Sequence, residues 1–142
     1  SRYGVAALID LAVNSKNGHV ALGSIAERNE ISPQYLEQVF ASLRRAGIVK
    51  SVKGSQGGYL LKYPSSSITV ASIIQALEGT YYLDDEETKT EESAAGIAET
   101  IQEDIVDRVN HGLDQILQNL TLADLEESFQ ERQSGGQEMY YI

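Results

Sequence analysis

The chain has 142 residues, a formal charge of −10 and no cysteine, a length that suits one domain or one small domain with an appended helical element. With 42% hydrophobic residues it can bury a core, whereas no apolar run approaches the roughly 20 residues of a membrane span and no signal peptide opens the sequence. The missing cysteine excludes disulfides, cysteine-ligated zinc or iron–sulfur sites and direct thiol sensing by these residues, and a reducing, cytoplasmic location is expected.

The acidic total argues superficially against nucleic acid, but the charge is divided. Residues 1–63 hold eight Lys/Arg against four acids, a balance of +4, and residues 64–142 hold three against seventeen, −14. Because exposed charges more than about 10 Å apart are largely screened, local rather than total charge decides whether a surface binds phosphate. Two differently solvated faces would give the same division as a basic binding module on an acidic body.

From Arg2 to about Asn14, Val5, Leu8, Ile9, Ala12 and Val13 recur at helical spacing. Turn residues Asn14 to Gly18 end that helix, and Val20–Leu22 reads as a short strand. Ser24-Ile-Ala-Glu27 matches a capping box and opens a short helix that fades near Asn29-Glu30. Ser32-Pro33 supplies an N-cap with proline at the first helical position, and the helix buries Leu36, Val39, Phe40 and Leu43 before stopping at Ala46-Gly47. Ile48–Val52 and Tyr59–Lys62 read as strands around the glycine-rich tip Lys53-Gly-Ser-Gln-Gly-Gly58. Two short helices and a tight turn followed by a hairpin is the order of a winged helix-turn-helix.

Pro64–Ser67 is a linker, and Thr69 caps a helix to Glu78. Tyr81–Ser93 is acidic and predicted as a mobile loop. From Ala94 to Asn119, apolar residues recur in steps of three and four, which predicts a helix near 39 Å long at about 1.5 Å per residue, with Gly112 as its one weak position. A second copy is the obvious cover for its stripe. Thr121-Leu-Ala-Asp124 opens a last helix to about Arg132, Ser134-Gly-Gly136 is a hinge, and Gln137–Ile142 forms a tail.

Enzyme signatures are nearly absent. His19 falls in a turn and His111 on the long helix, neither with a metal-binding partner nearby, so each reads as a solvated or packed side chain. Gly18–Ser24 mimics half a phosphate loop but lacks its lysine. The acids of 84–92 lack the ordered ligand spacing of a calcium loop.

The helix after Pro33 offers more. With its apolar side turned inward, Gln34, Tyr35, Gln38 and Ser42 face outward, where side chains near the N-terminus of a recognition helix meet base edges. Gln38 can pair with adenine in two hydrogen bonds, Glu37 can accept from a cytosine amino group, and Tyr35 can meet a phosphate or a thymine methyl. On the wing, Lys53 can enter a minor groove or rest on a phosphate, while Gly54, Gly57 and Gly58 let the backbone approach closely. Lys50, Arg44 and Arg45 add sequence-blind phosphate contacts.

Arg2-Tyr3-Gly4, Ile31-Ser-Pro-Gln-Tyr-Leu-Glu-Gln-Val-Phe40, Leu43-Arg-Arg-Ala-Gly-Ile-Val49 and Val52-Lys-Gly-Ser-Gln-Gly-Gly-Tyr59 together resemble the Rrf2 family of bacterial winged-helix regulators over residues 2–62. The resemblance implies a homodimer on near-palindromic promoter DNA, with Tyr35, Glu37 and Gln38 reading from the recognition helix and Lys53 on the wing; Arg2, Ser32, Gln34, Ser42, Arg45, Lys50, Gly54 and Gly57 are the further DNA-binding candidates. Cluster-binding members place three cysteines after the fourth helix, where this chain has Tyr81–Ser93, so no cofactor is expected. The chain is most similar to the cluster-free repressors of cysteine metabolism, which work with cysteine synthase (O-acetylserine sulfhydrylase). That enzyme accepts partner tails ending in isoleucine, which gives Tyr140, Tyr141 and Ile142 a docking role; folding back on the dimer as an apolar plug is the rival.

The expectation is therefore a mainly α fold with a small β-hairpin wing (α+β). It divides into a DNA-binding domain at 1–63, a linker, fourth helix and acidic loop at 64–93, dimerisation and final helices at 94–133, and a tail at 134–142. Ile101, Ile105, Val109, Leu113 and Ile116 are the expected dimer contacts. The expected function is a repressor of cysteine or sulfur genes, with two rivals. One is a regulator answering a small molecule between Tyr81 and the long helix. The other is a dimeric adaptor without DNA binding.

Overall fold

The computed structural model describes residues 2–83 and 92–140. Helix α1 (Arg2–Asn14), α2 (Leu22–Asn29) and α3 (Pro33–Arg45) pack against one another, followed by strands β1 (Val49–Val52) and β2 (Gly58–Leu61). These are the expected helix-turn-helix and wing. Leu36, Val39, Phe40 and Leu43 are all buried, and with Leu8, Leu11, Ile25 and Val49 they form one core. The hairpin pairs Val49 with Leu61 and Val52 with Gly58, which lays Tyr59 against Phe40 at 4.8 Å between ring centroids.

Side-chain caps open three of the helices. Ser32 Oγ accepts from the Tyr35 amide at 3.4 Å with proline at the first helical position, and Thr69 Oγ1 accepts from Ser72 at 3.1 Å to open α4 (Val70–Glu78). Thr121 and Asp124 bond reciprocally at 3.0 and 3.2 Å, a closed capping box. The expected box at Ser24 is corrected: α2 starts two residues earlier, with Ala21 at its cap and no side-chain bond there. Val20 forms a single bridge to Tyr59 instead of a strand. Once the chain leaves that bridge, Leu22, Ile25 and Ala26 turn inward at helical spacing, so the helix begins at Leu22.

The long helix is unbroken from Glu92 to Leu117 but not uniform: α5 (Glu92–Ile101) runs through a π-helical segment (Gln102–Asp107) into α6 (Arg108–Leu117). The irregularity lies there and not at Gly112. Its cause is legible in the stripe. The positions 97, 101, 105, 109, 113 and 116 average about 3.8 residues per turn, one residue more than five α-helical turns hold. A π turn absorbs one extra residue, so the aliphatic side chains stay in line. The helix also begins inside the segment expected as loop, at Glu92; residues 84–91 lie outside the described residues.

The last helix is a second correction. Helix α7 (Leu122–Tyr140) runs through Ser134-Gly135-Gly136 without the expected hinge. Leu122 is fully buried, Glu126 bonds Lys16 at 2.7 Å and Ser65 at 3.4 Å, and Leu122 N donates to Ile68 O at 2.8 Å. With the first turns so anchored, glycine lowers helix stability by only about 1 kcal/mol per residue, which does not force a break. Among the described residues no helix is long and apolar enough to cross a membrane.

Candidate nucleic-acid interface

Burying the apolar face of α3 leaves Ser32, Gln34, Tyr35, Glu37 and Gln38 exposed along its N-terminal half, as the spacing predicts for Gln34, Tyr35 and Gln38; the same expectation fails for Ser42. Their conformations are fixed to different degrees. Ser32 is engaged as the cap, while Tyr35 meets Tyr3 edge to face, with centroids 6.1 Å apart and planes at 85°. Ser42 is half-buried and accepts from Arg45 at 3.2 Å; at 1.5 Å per residue this pair lies about 10–15 Å further along the helix than Tyr35, away from the end that enters a groove. Arg2 is exposed at the start of α1 and Lys50 on β1.

A groove of about 690 Å³ separates the start of α2 from the wing, lined by Leu22, Gly23 and Glu37 on one side and by Lys53, Gly54 and Ser55 on the other. Glu37, exposed on α3, lines it, so the groove adjoins the outward face of that helix. Lys53 and Gly54 are exposed at the tip, and Gly54 holds φ +121°, a left-handed conformation that favours glycine.

Gly57 also has a role within the hairpin itself. A Cβ there would stand 2.3 Å from Val52 O, and one on Gly58 would stand 2.3 Å from Val20 O. Both glycines are required by the hairpin's own closure and by its contact with the segment before α2. That contact is the feature sequence reasoning missed. Val20 and Tyr59 exchange two backbone bonds at 3.0 and 2.9 Å, and His19 Nε2 donates to Gln56 O at 2.6 Å. The wing is thus held from behind by a third chain segment, which matters because an isolated two-stranded hairpin is marginally stable.

Not every cation of the basic half is available to DNA. Arg28 grips Asp10 through two bonds of 2.9 and 2.7 Å, and this pairing holds its guanidinium above the ordinary arginine pKa. Lys16 pairs with Glu126. Arg2, Arg44, Arg45, Lys50, Lys53 and Lys62 remain exposed.

A family model described as "Iron-dependent Transcriptional regulator", Rrf2, matches residues 1–128. The chain belongs to the Rrf2 family. It is 38% identical over 128 residues to the HTH-type transcriptional regulator IscR of Yersinia enterocolitica, which covers 87% of this chain and 74% of that protein. Among solved structures it resembles CymR, the global cysteine regulator of B. subtilis. There the TM-score is 0.74 and identity 35%, over 89% of this chain and 92% of CymR. It also resembles T. potens IscR, with TM-score 0.72 and identity 39% over 93% and 86% of the two chains. This Rrf2 protein is a DNA-binding transcriptional regulator with a winged-helix fold, not an enzyme.

The donor set of this Rrf2 chain does not fit a cysteine-bound cluster. The sequence has no cysteine, and among the described residues no three His, Cys, Asp or Glu converge on a metal site. Where the segment toward residue 84 begins, the side chains are committed elsewhere. Tyr81 and Tyr82 donate to Asp114 at 2.5 and 2.7 Å, and the Leu83 amide donates to Asn110 at 2.8 Å. These bonds push the Tyr81 phenol up and Tyr82 to about 12, and hold Asp114 below the usual carboxylate range. The junction expected to hold a small molecule is therefore spanned by these bonds. A cleft of about 590 Å³ lies instead between α1, α2 and α7, lined by Ile9, Val13, Arg28 and Phe129.

Along the long helix Ile97, Ile101, Ile105, Val109 and Ile116 are exposed, Ile97 at 67% and Ile116 at 63%, and Leu113 is half-buried. Tyr140 is the last described helical residue; Tyr141 and Ile142 lie outside the described residues.

Proposed function

We propose that this Rrf2 protein is a homodimeric, cluster-free repressor of cysteine or sulfur-metabolism genes, acting in the cytoplasm. The observation that carries the reading is the pairing of an exposed recognition helix and braced wing with an unpartnered aliphatic stripe on one chain. One surface fits DNA, and the other fits a second copy through Ile101, Ile105, Val109, Leu113 and Ile116. Two recognition helices related by the dimer axis meet half-sites about 34 Å apart, one turn of the duplex. In this reading Gln34, Tyr35, Glu37 and Gln38 contact base edges, Lys53 enters the minor groove beside Gly54, and Arg2, Arg45 and Lys50 rest on phosphates.

The likeness to CymR, the global cysteine regulator of B. subtilis, supports the choice of genes. Cysteine synthase is the proposed partner, received through Tyr140, Tyr141 and Ile142. A partner that binds the DNA-competent arrangement better than the alternatives stabilises it by that difference in affinity. A second reading, a regulator answering a small-molecule effector, is favoured by the cleft beside Phe129.

Footprinting on promoters of cysteine-biosynthetic genes tests the main reading. Two-fold protection and a steep loss of affinity with salt are expected, and absence of specific protection refutes it. A pull-down with cysteine synthase, with and without Ile142, tests the partner, and equal capture by both forms removes the tail from the account. Thermal stabilisation by a sulfur metabolite without added enzyme favours the second reading.

A further inference from the structure

We propose that Tyr3 is a positioning residue for DNA recognition, its ring holding Tyr35 in the orientation in which it meets the duplex. The inference rests on α3 being the recognition helix. Tyr3 and Tyr35 belong to different helices, 32 positions apart, yet their rings meet edge to face at 6.1 Å and 85°. They do so at the surface, Tyr3 at 58% and Tyr35 at 42% exposure.

The backbone at Tyr35 is already fixed. Its amide donates to Ser32 Oγ at 3.4 Å, and Pro33 sets the first turn. What the cap leaves loose is the side chain. A tyrosine on an exposed helix face exchanges between rotamers, and binding DNA requires that freedom to be lost. Edge-to-face packing against Tyr3 removes much of it beforehand, because the positive ring edge seeks the negative face of its neighbour. Both rings come from the ends of α1 and α3 that carry Arg2 and Gln34, so the pair lies within the proposed DNA face, where stacking for fold stability alone has little to gain.

The test uses the full chain and a duplex carrying the footprinted two-fold site, with a random duplex of equal length beside it. Tyr3→Leu is expected to weaken specific binding about 2- to 10-fold, the span that immobilising one side chain on binding supports, with random-duplex binding unchanged and Tm lower by at most a few degrees for the lost ring contact. Tyr3→Phe keeps the ring and restores parent affinity. Tyr3→Leu added to Tyr35→Leu costs nothing further. Equal loss in Tyr3→Phe and Tyr3→Leu overturns the proposal in favour of a phosphate contact by the Tyr3 hydroxyl. Additive losses in the double variant overturn it too, as does a fall in Tm that accounts for the weakening. If Tyr35→Leu is silent while Gln38→Ala weakens binding, only the tyrosine pair fails. If both are silent, the assignment of α3 as the recognition helix fails, and Tyr3 with it.

Discussion

Gly58→Ala is the sharpest probe of how the wing is held. A methyl at that position would lie 2.3 Å from Val20 O, 2.6 Å from its carbonyl carbon and 3.0 Å from Ala21 N, all backbone atoms that cannot rotate away. The segment must retreat by about 1 Å to reach ordinary contact, which breaks the Val20–Tyr59 pair at 3.0 and 2.9 Å and strains the His19–Gln56 bond. Two backbone bonds at about 0.5–1.5 kcal/mol each, with part of the burial of Val20, give a loss of about 2–3 kcal/mol. For a chain of this size that is a fall in Tm of about 5–10 °C. Hydrogen exchange should show the Tyr59 amide losing protection in step. Gly23→Ala is the control: nothing lies within 4 Å of its added Cβ, and in a helix it should leave stability unchanged or raise it by at most about 1 kcal/mol. A Gly58→Ala protein with parental Tm and a protected Tyr59 amide would show that the third segment does not brace the wing.

Other consequences are as direct. Ile105→Asp places a charge in the middle of the aliphatic stripe on both copies of a dimer; losing about 1–2 kcal/mol of burial per copy raises the dimer Kd about 100-fold, read by sedimentation, and an unchanged Kd removes the stripe from the interface. Lys50→Ala should lower the slope of log affinity against log salt by about one phosphate contact on any duplex, whereas Gln38→Ala should cost about 1–3 kcal/mol at one base pair per half-site; uniform loss in the second variant refutes a base contact. The Tyr82–Asp114 bond carries a pH signature at both ends. Tyr82 titrates near 12 instead of 10, so its contribution is complete below the ordinary tyrosine pKa and is lost as pH rises through 12. Asp114 is depressed, so its contribution holds above the ordinary carboxylate pKa and is lost as pH falls through its own lower value. Asp114→Asn should shift both Tyr81 and Tyr82 back toward ordinary titration by ultraviolet absorbance, and an unaltered curve refutes the bonds.

Local chemistry made much of this fold legible and tertiary chemistry did not. Ser32-Pro33, Thr69 and Thr121-Asp124 announce helix starts because each cap needs only residues within three positions. The inward face of α3 follows from Leu36, Val39, Phe40 and Leu43, and the outward face by subtraction. Ser24 misled because the bridge from Val20 to Tyr59, residues far apart in sequence, set the start of α2. Gly135-Gly136 misled because glycine weakens a helix without ending one that is anchored upstream. The π segment was readable in principle: the stripe holds one residue too many for five α turns. His19 with Gln56, Tyr3 with Tyr35, and Tyr82 with Asp114 join positions 32 to 37 apart, and no periodicity marks such contacts.

The division of charge gains a mechanical meaning from the pairings. Arg28 and Lys16 are consumed within the fold, so the basic half meets DNA with six exposed cations and three exposed acids, Glu27, Glu30 and Glu37. The stripe runs through the opposite surroundings: between Ile97 and Ile116 there are five acids, Glu99, Glu103, Asp104, Asp107 and Asp114, against Arg108 alone. Two copies meeting along that stripe bring like charges together, and only the aliphatic side chains hold them. The two proposed interfaces must therefore respond to salt in opposite senses. DNA affinity falls as counterion release loses its advantage, while the dimer tightens as repulsion between the flanks is screened. If sedimentation shows the dimer dissociating with added salt in the range where DNA is released, ion pairs and not the stripe hold it together.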